Sequence, residues 1–188
     1  MSKKKIIINS ILILVSSIIF GVLIAIGIGS RLDERGYQSK TVKYEVPKNI
    51  IWQILTDIES YALWKPGLKR IEMLGENSKG YEKWREFYGL GKHITYEVTE
   101  KIDDKLLTIK IIETNRMPEK TWIFKLDTYE DSTILLIKRY VIISKPLDRF
   151  IHKYIDEKFS ETDYLTLSLN KYVMQLIEDA EAVEDLLL

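Results

Sequence analysis

The chain has no cysteine and only two histidines in 188 residues. Without cysteine there is no disulfide framework, no thiol nucleophile and no residue for a lipoprotein's acyl chain. The absence fits a bacterial protein facing an oxidising exterior, and it fits a cytosolic one equally. His93 and His152 have no partner at metal-ligand spacing and no HExxH stretch occurs, so neither a metal nor a cofactor is expected. A G-x-S-x-G elbow is also missing. Gly89-Leu90-Gly91-Lys92 lacks the spacing and the following Ser or Thr of a phosphate loop, and it reads as a hairpin turn. Charge of one sign is not in excess, since 28 basic residues face 28 acidic ones. No basic stripe marks a nucleic-acid partner. There is no internal repeat and no low-complexity tract. The Ile- and Lys-rich, Ala-poor usage suggests an AT-rich genome.

The largest absence is local. The 25 residues from Ile6 to Ser30 carry no charge, and Lys3, Lys4 and Lys5 stand directly before them. As a helix rising about 1.5 Å per residue, Ile6 to Ile28 spans roughly 35 Å, enough to cross a hydrocarbon core of about 30 Å with some tilt. The polar exceptions, Asn9, Ser10, Ser16 and Ser17, are neutral, and serine can bond back to its own helix. Two readings remain open. A cleavable signal has an apolar region of about 7–15 residues followed by a small-x-small site, which Ala25 and Gly27 loosely imitate. The run here is longer than that, which favours an uncleaved signal anchor over residues 1–30. The lysines place the amino terminus in the cytoplasm and the body of a single-pass protein outside it. Cleavage after Gly27 would instead release an exported domain.

Residues 31–39, RLDERGYQS, read as a short juxtamembrane linker, and 40–182 as one domain with a tail at 183–188. A linker of about nine residues keeps that domain near the bilayer surface. Val42, Tyr44 and Val46 alternate with Lys43 and Glu45, which predicts a strand over Thr41–Val46. Pro47 suits the start of a helix, and Ile50, Ile51, Ile54, Leu55 and Ile58 follow at helical spacing. A second short turn, Ser60–Leu63, stops before Pro66-Gly67. Six alternating segments come next: Leu68–Leu74, Tyr81–Tyr88, His93–Lys101, Leu106–Thr114, Thr121–Leu126 and Thr133–Ile143. Short turns between them mean an antiparallel meander. From Leu147 to about Ala182, apolar residues recur at 3–4 spacing, which predicts one long helix.

Strand, two short helices, about six strands and a long terminal helix are the order of an α+β helix-grip fold. In it a curved antiparallel sheet wraps on the C-terminal helix, here preceded by one transmembrane helix. The residues agree: Val46-Pro47 through Ile51-Trp52, Leu55-Thr56-Asp57, Tyr61-Ala62-Leu63-Trp64-Lys65-Pro66-Gly67, then Trp84-Arg85-Glu86 and Thr95-Tyr96-Glu97-Val98. In these the chain resembles the START-like, Bet v 1-like (SRPBCC) superfamily, in particular its polyketide cyclase/dehydrase and lipid-transport branch. The resemblance covers residues 40–180 and leaves the membrane span outside. It implies an apolar cavity between sheet and terminal helix for a lipid, sterol or polyketide-like molecule.

Candidate lining residues are the aromatics Trp84, Tyr96, Trp122, Tyr140, Phe150 and Tyr154, together with Glu86 and Lys138. Glu86 shares strand parity with Trp84, and Lys138 with Leu136 and Tyr140, so each is a candidate inward charge needing a partner. Three functions stay in view. The first is a membrane-anchored binder or carrier of a hydrophobic small molecule, with the lipid bilayer as its other partner. The second is a cyclase/dehydratase-like enzyme using Glu86, Lys138, Tyr96 and Tyr140. The third is a pocketless domain docking on a membrane protein. The binder is the favoured reading, and nothing in the sequence sets the oligomeric state.

Overall fold

The computed structural model describes residues 3–114, 119–155 and 161–185. In chain order its elements are α1 (Lys3–Gly29), β1 (Arg35–Tyr44), α2 (Lys48–Thr56), a 3-10 turn (Ile58–Ser60), α3 (Tyr61–Trp64), β2 (Leu68–Glu76), β3 (Glu82–Tyr88), β4 (His93–Ile102), β5 (Leu106–Thr114), β6 (Glu119–Tyr129), β7 (Ser132–Ile142), α4 (Pro146–Tyr154) and α5 (Glu161–Asp185). The chain divides into two compact units. One comprises Met1–Arg35 with Ile143–Phe159, and the other Gly36–Ile142 with Ser160–Leu188.

The larger unit is an α+β helix-grip fold. Its seven strands hydrogen-bond in the order β1-β7-β6-β5-β4-β3-β2, so β2 to β7 form an unbroken meander and β1 closes beside the last strand. Hairpins are short where residues accept left-handed backbone: Asp104 and Glu130 both sit at φ 54° in the β4–β5 and β6–β7 turns. Register shifts interrupt β2–β3 and β4–β5, and such bulges bend a strand and increase its twist. Alternation decides the inner face. Trp84, Tyr96, Val98, Leu107, Ile109, Phe124, Leu135 and Ile137 are buried there. From the helices, Ile51, Ile54 and Leu55 of α2 and Leu169 and Val173 of α5 complete the same core. Each such side chain stabilises the fold by about 1.5–3 kcal/mol on full burial.

The smaller unit holds α1 and α4. α1 is the one helix among the described residues long and apolar enough to cross a membrane, over Lys5–Gly29. Most of its apolar side chains are exposed. α4 opens with Pro146 and packs against α1.

Two sequence expectations change. The first strand opens at Arg35 rather than Thr41. Its first six residues, RGYQSK, lack an apolar face, and pairing with β7 rather than patterning holds them extended. The helix expected to run unbroken from Leu147 is two helices. α4 ends at Tyr154, with Ile155 as its C-cap, whose amide still donates to the Ile151 carbonyl. The 3–4 spacing persists through both, but α4 belongs to the smaller unit and α5 to the larger. Residues 156–160 of that expected helix, and 186–188 of the expected tail, lie outside the described residues.

Candidate functional site

A cavity of about 290 Å³ opens in the larger unit beside the inner face of the sheet. Its apolar wall comes from Leu55, Ile94, Ile109, Ile111, Phe124 and Leu165. Antiparallel register sets these in rows: Tyr96 stands opposite Ile111, and Ile109 opposite Trp122. Aromatic side chains from α3, β3, β4, β6 and α5 complete the lining, with three lysines, Lys65, Lys92 and Lys120, and one carboxylate, Glu161.

At one end lies Glu86, which is fully buried on β3. Its Oε1 accepts hydrogen bonds from Lys65 Nζ at 2.6 Å and from Trp84 Nε1 at 3.1 Å. Its Oε2 accepts from the Tyr88 hydroxyl at 2.6 Å. A buried carboxylate is tolerated only with such partners. Lys65, delivered by the Pro66-Gly67 turn after α3, also stands 3.9 Å from the centre of the Tyr61 ring. Burial pushes the Lys65 amine below its ordinary value, and Glu86 opposes that shift. Tyr61, Tyr88 and Tyr96 are pushed well above the usual phenol range, by burial first and then by the charge of Glu86. They therefore stay protonated donors.

A second charged group, made by β6, β7 and the start of α5, lies around Lys120 and Glu161. Glu161 pairs with Lys120 through one oxygen and with Arg139 Nη1 at 2.7 Å through the other. The cation side chains are 7% and 4% exposed, whereas that of Glu161 is 42% exposed. Burial pushes the Glu161 carboxyl up, but Lys120 and then Arg139 outweigh it and hold the group below the usual range. Glu161 also stands in the first turn of α5, where the helix dipole favours negative charge. Burial lowers the Lys120 amine, and the charges of Arg139 and Lys92 lower it further. Lys92 faces the Tyr88 ring at 5.6 Å and makes no ion pair among the described residues.

The residues singled out from sequence are dispersed. Tyr96 and Trp122 line the cavity. Trp84 lies behind it, fully buried and stacked on Tyr96 with ring centres 5.3 Å apart. Glu86 reaches the cavity only through Lys65 and Tyr88. Lys138 and Tyr140 lie on the opposite face of β7. The inward set is Leu135, Ile137, Arg139 and Val141, and Tyr140 is 42% exposed and packs on Tyr37. Both faces of β7 carry apolar residues and one cation, so alternation alone could not choose between them. Phe150 and Tyr154 sit on α4 of the smaller unit, paired with each other at 4.9 Å, and neither lines the cavity. Sequence reasoning missed Lys65, Lys120, Arg139 and Glu161. Extending the Trp122-Phe124-Leu126 alternation back by two residues would have found Lys120.

No family model matches the sequence, and no curated protein matches it. Solved structures do. A START superfamily protein from Mycobacterium smegmatis is similar at TM-score 0.61 and 21% identity, over 74% of this chain and 98% of that one. An aromatase/cyclase from a Streptomyces species matches at TM-score 0.58 and 18% identity, over 73% and 93%. Norcoclaurine synthase from Thalictrum flavum matches at TM-score 0.57 and 11% identity, over 74% and 87%. At these identities the likeness establishes the fold alone.

Proposed function

We propose that this chain is a membrane-anchored binding domain for a compact amphiphile, with an apolar or aromatic body and an acidic end. The cavity carries the reading. Its volume, about 290 Å³, is at the lower end of ligand-pocket sizes, roughly 300–1,000 Å³, which favours a compact molecule over a long acyl chain. Its walls suit an apolar body. Lys92, without an acidic partner among the described residues and close enough to act on Lys120, suits the acid. The proposal includes α1 as a single-pass anchor, amino terminus inside and domain outside the cytoplasm, because the basic excess precedes it. A tether of this kind keeps a binder beside a source in the membrane.

The test is to purify the full chain in nanodiscs and identify what organic solvent extracts from it by mass spectrometry. An acidic amphiphile should come with the wild-type protein and be absent from Ile111→Trp, which fills the cavity. Equal recovery from both, or recovery from neither, contradicts the proposal. A catalytic reading draws on one observation: two lysine amines lowered by burial stand near protonated tyrosines, the components of an acid–base set. Turnover lost in Lys120→Met with binding retained would favour it.

A further inference from the structure

The smaller unit contains an amphipathic helix, α4, whose apolar face is only partly covered among the described residues: Leu147, Phe150 and Ile151 are half-buried, and Tyr154 is exposed. α4 is nine residues, PLDRFIHKY, and Leu147, Phe150, Ile151 and Tyr154 fall at i, i+3, i+4 and i+7 on one side. Ile155 continues that side just past the helix end. Asp148, Arg149, His152 and Lys153 occupy the other. None of the α4 side chains is buried, and Tyr154 and Ile155 are 48% and 52% exposed. A soluble domain normally hides such a face in its core.

Its position within the unit explains the exposure. α4 is packed on the C-terminal end of α1. Ala25 and Gly29, one turn apart, are buried, in contrast to the exposed side chains along the rest of α1. Gly29 has no room for a side chain: a Cβ there would lie 1.8 Å from the Pro146 carbonyl oxygen. Small residues permit that kind of close helix approach in membranes. The Arg149 guanidinium then binds the Leu32 and Ser144 carbonyls, each at 3.0 Å, and the Glu34 carboxylate at 3.1 Å. The Ile143 amide donates to the Glu34 carbonyl at 2.8 Å. Leu32 and Glu34, just past the apolar run, are thus tied to α4 and its lead-in, and its level is fixed to the exit of α1.

We infer that α4 is a membrane-interface helix, with its apolar side set into the headgroup–acyl boundary where α1 leaves the bilayer. This rests on the reading of α1 as a membrane span. The lipid surface is the occupant because the close approach of Gly29 to Pro146 and the Arg149 contacts with Leu32 and Glu34 hold α4 at the end of the apolar run of α1. Its aromatic pair, Phe150 and Tyr154, belongs to the residue types that favour the interface. The two aromatics that the sequence pattern offered to the cavity thus serve the bilayer.

The absence of native cysteine makes the test direct. Single cysteines in the full chain, at Tyr154→Cys, Ile155→Cys, Asp148→Cys and Ile13→Cys, take a nitroxide label. The labelled proteins go into vesicles of phosphatidylethanolamine and phosphatidylglycerol. Collisions with oxygen and with a water-soluble nickel complex are then compared. The oxygen-to-nickel ratio should be highest at Ile13 and several-fold higher at Tyr154 and Ile155 than at Asp148. Nickel access at Tyr154 and Ile155 equal to that at Asp148, or shielding of both from either reagent as in a protein contact, overturns the proposal while a deep Ile13 leaves the span intact. Nickel access at Ile13 overturns the span and this inference together.

Discussion

The two charged groups beside the cavity are built in opposite senses. Around Glu86 the carboxylate is fully buried and three donors surround it. Around Glu161 the cations are buried and the carboxylate is 42% exposed. A carboxylate sealed among its donors has no capacity left for a ligand and acts as part of the core. One that bridges two cations and still meets solvent can exchange partners. Under the proposed binding function, recognition falls to the Lys92–Lys120 end and structural support to the Lys65 end.

The largest effect should therefore come from the sealed group. Glu86→Gln leaves Lys65 without its counter-charge, and breaking a buried pair this way costs about 3–5 kcal/mol. Chemical denaturation in detergent micelles should show it, and the double change Lys65→Met with Glu86→Leu should recover most of the loss. Glu161→Gln should cost less, about 1–3 kcal/mol, because water reaches that carboxyl. Equal losses in the two variants would erase the distinction between the groups.

Acid titration sharpens the same comparison. The Glu161 carboxyl is held below its ordinary value in the folded chain. The stability it contributes is then fully present above the unfolded value, about 4.3, and is lost as pH falls through the lower folded value. Wild-type protein should lose stability across that acid window, and Glu161→Gln should show a shallower limb. An identical acid limb in both would mean that Glu161 is not held as described. The smallest effect belongs to the opposite face of the sheet. Tyr140→Ala removes a surface ring pair with Tyr37, worth about 0.5–1.5 kcal/mol, and should leave binding unchanged.

How far the sequence reached depends on how many physical constraints acted on each segment. β5 was read at both ends, Leu106 to Thr114, because Leu107, Ile109 and Ile111 alternate after the Asp103-Asp104 turn. The two short helices were legible from Ile51, Ile54 and Leu55 and from Pro66-Gly67. The cavity lining was legible only where one face was plainly apolar, as for Tyr96 and Trp122. On β7, Leu136 and Lys138 look as inward as Ile137 and Arg139, and only pairing with β6 resolves the choice, with Trp122 opposite Arg139. Glu161 was out of reach because one helical period runs through both α4 and α5, hiding where the second helix starts. Phe150 and Tyr154 followed the correct period into the wrong environment, since periodicity does not say whether an apolar face meets a core or a membrane.

The central claim is that the cavity of the larger unit binds an acidic amphiphile, and calorimetry with naphthoate tests it most directly. The full chain in nanodiscs is titrated against empty nanodiscs as the blank. Wild-type protein should bind, Ile111→Trp should not, and Lys92→Met should bind several-fold more weakly with its stability unchanged. Binding heat no greater than that of empty nanodiscs, or the same affinity in wild type and Ile111→Trp, would contradict the account.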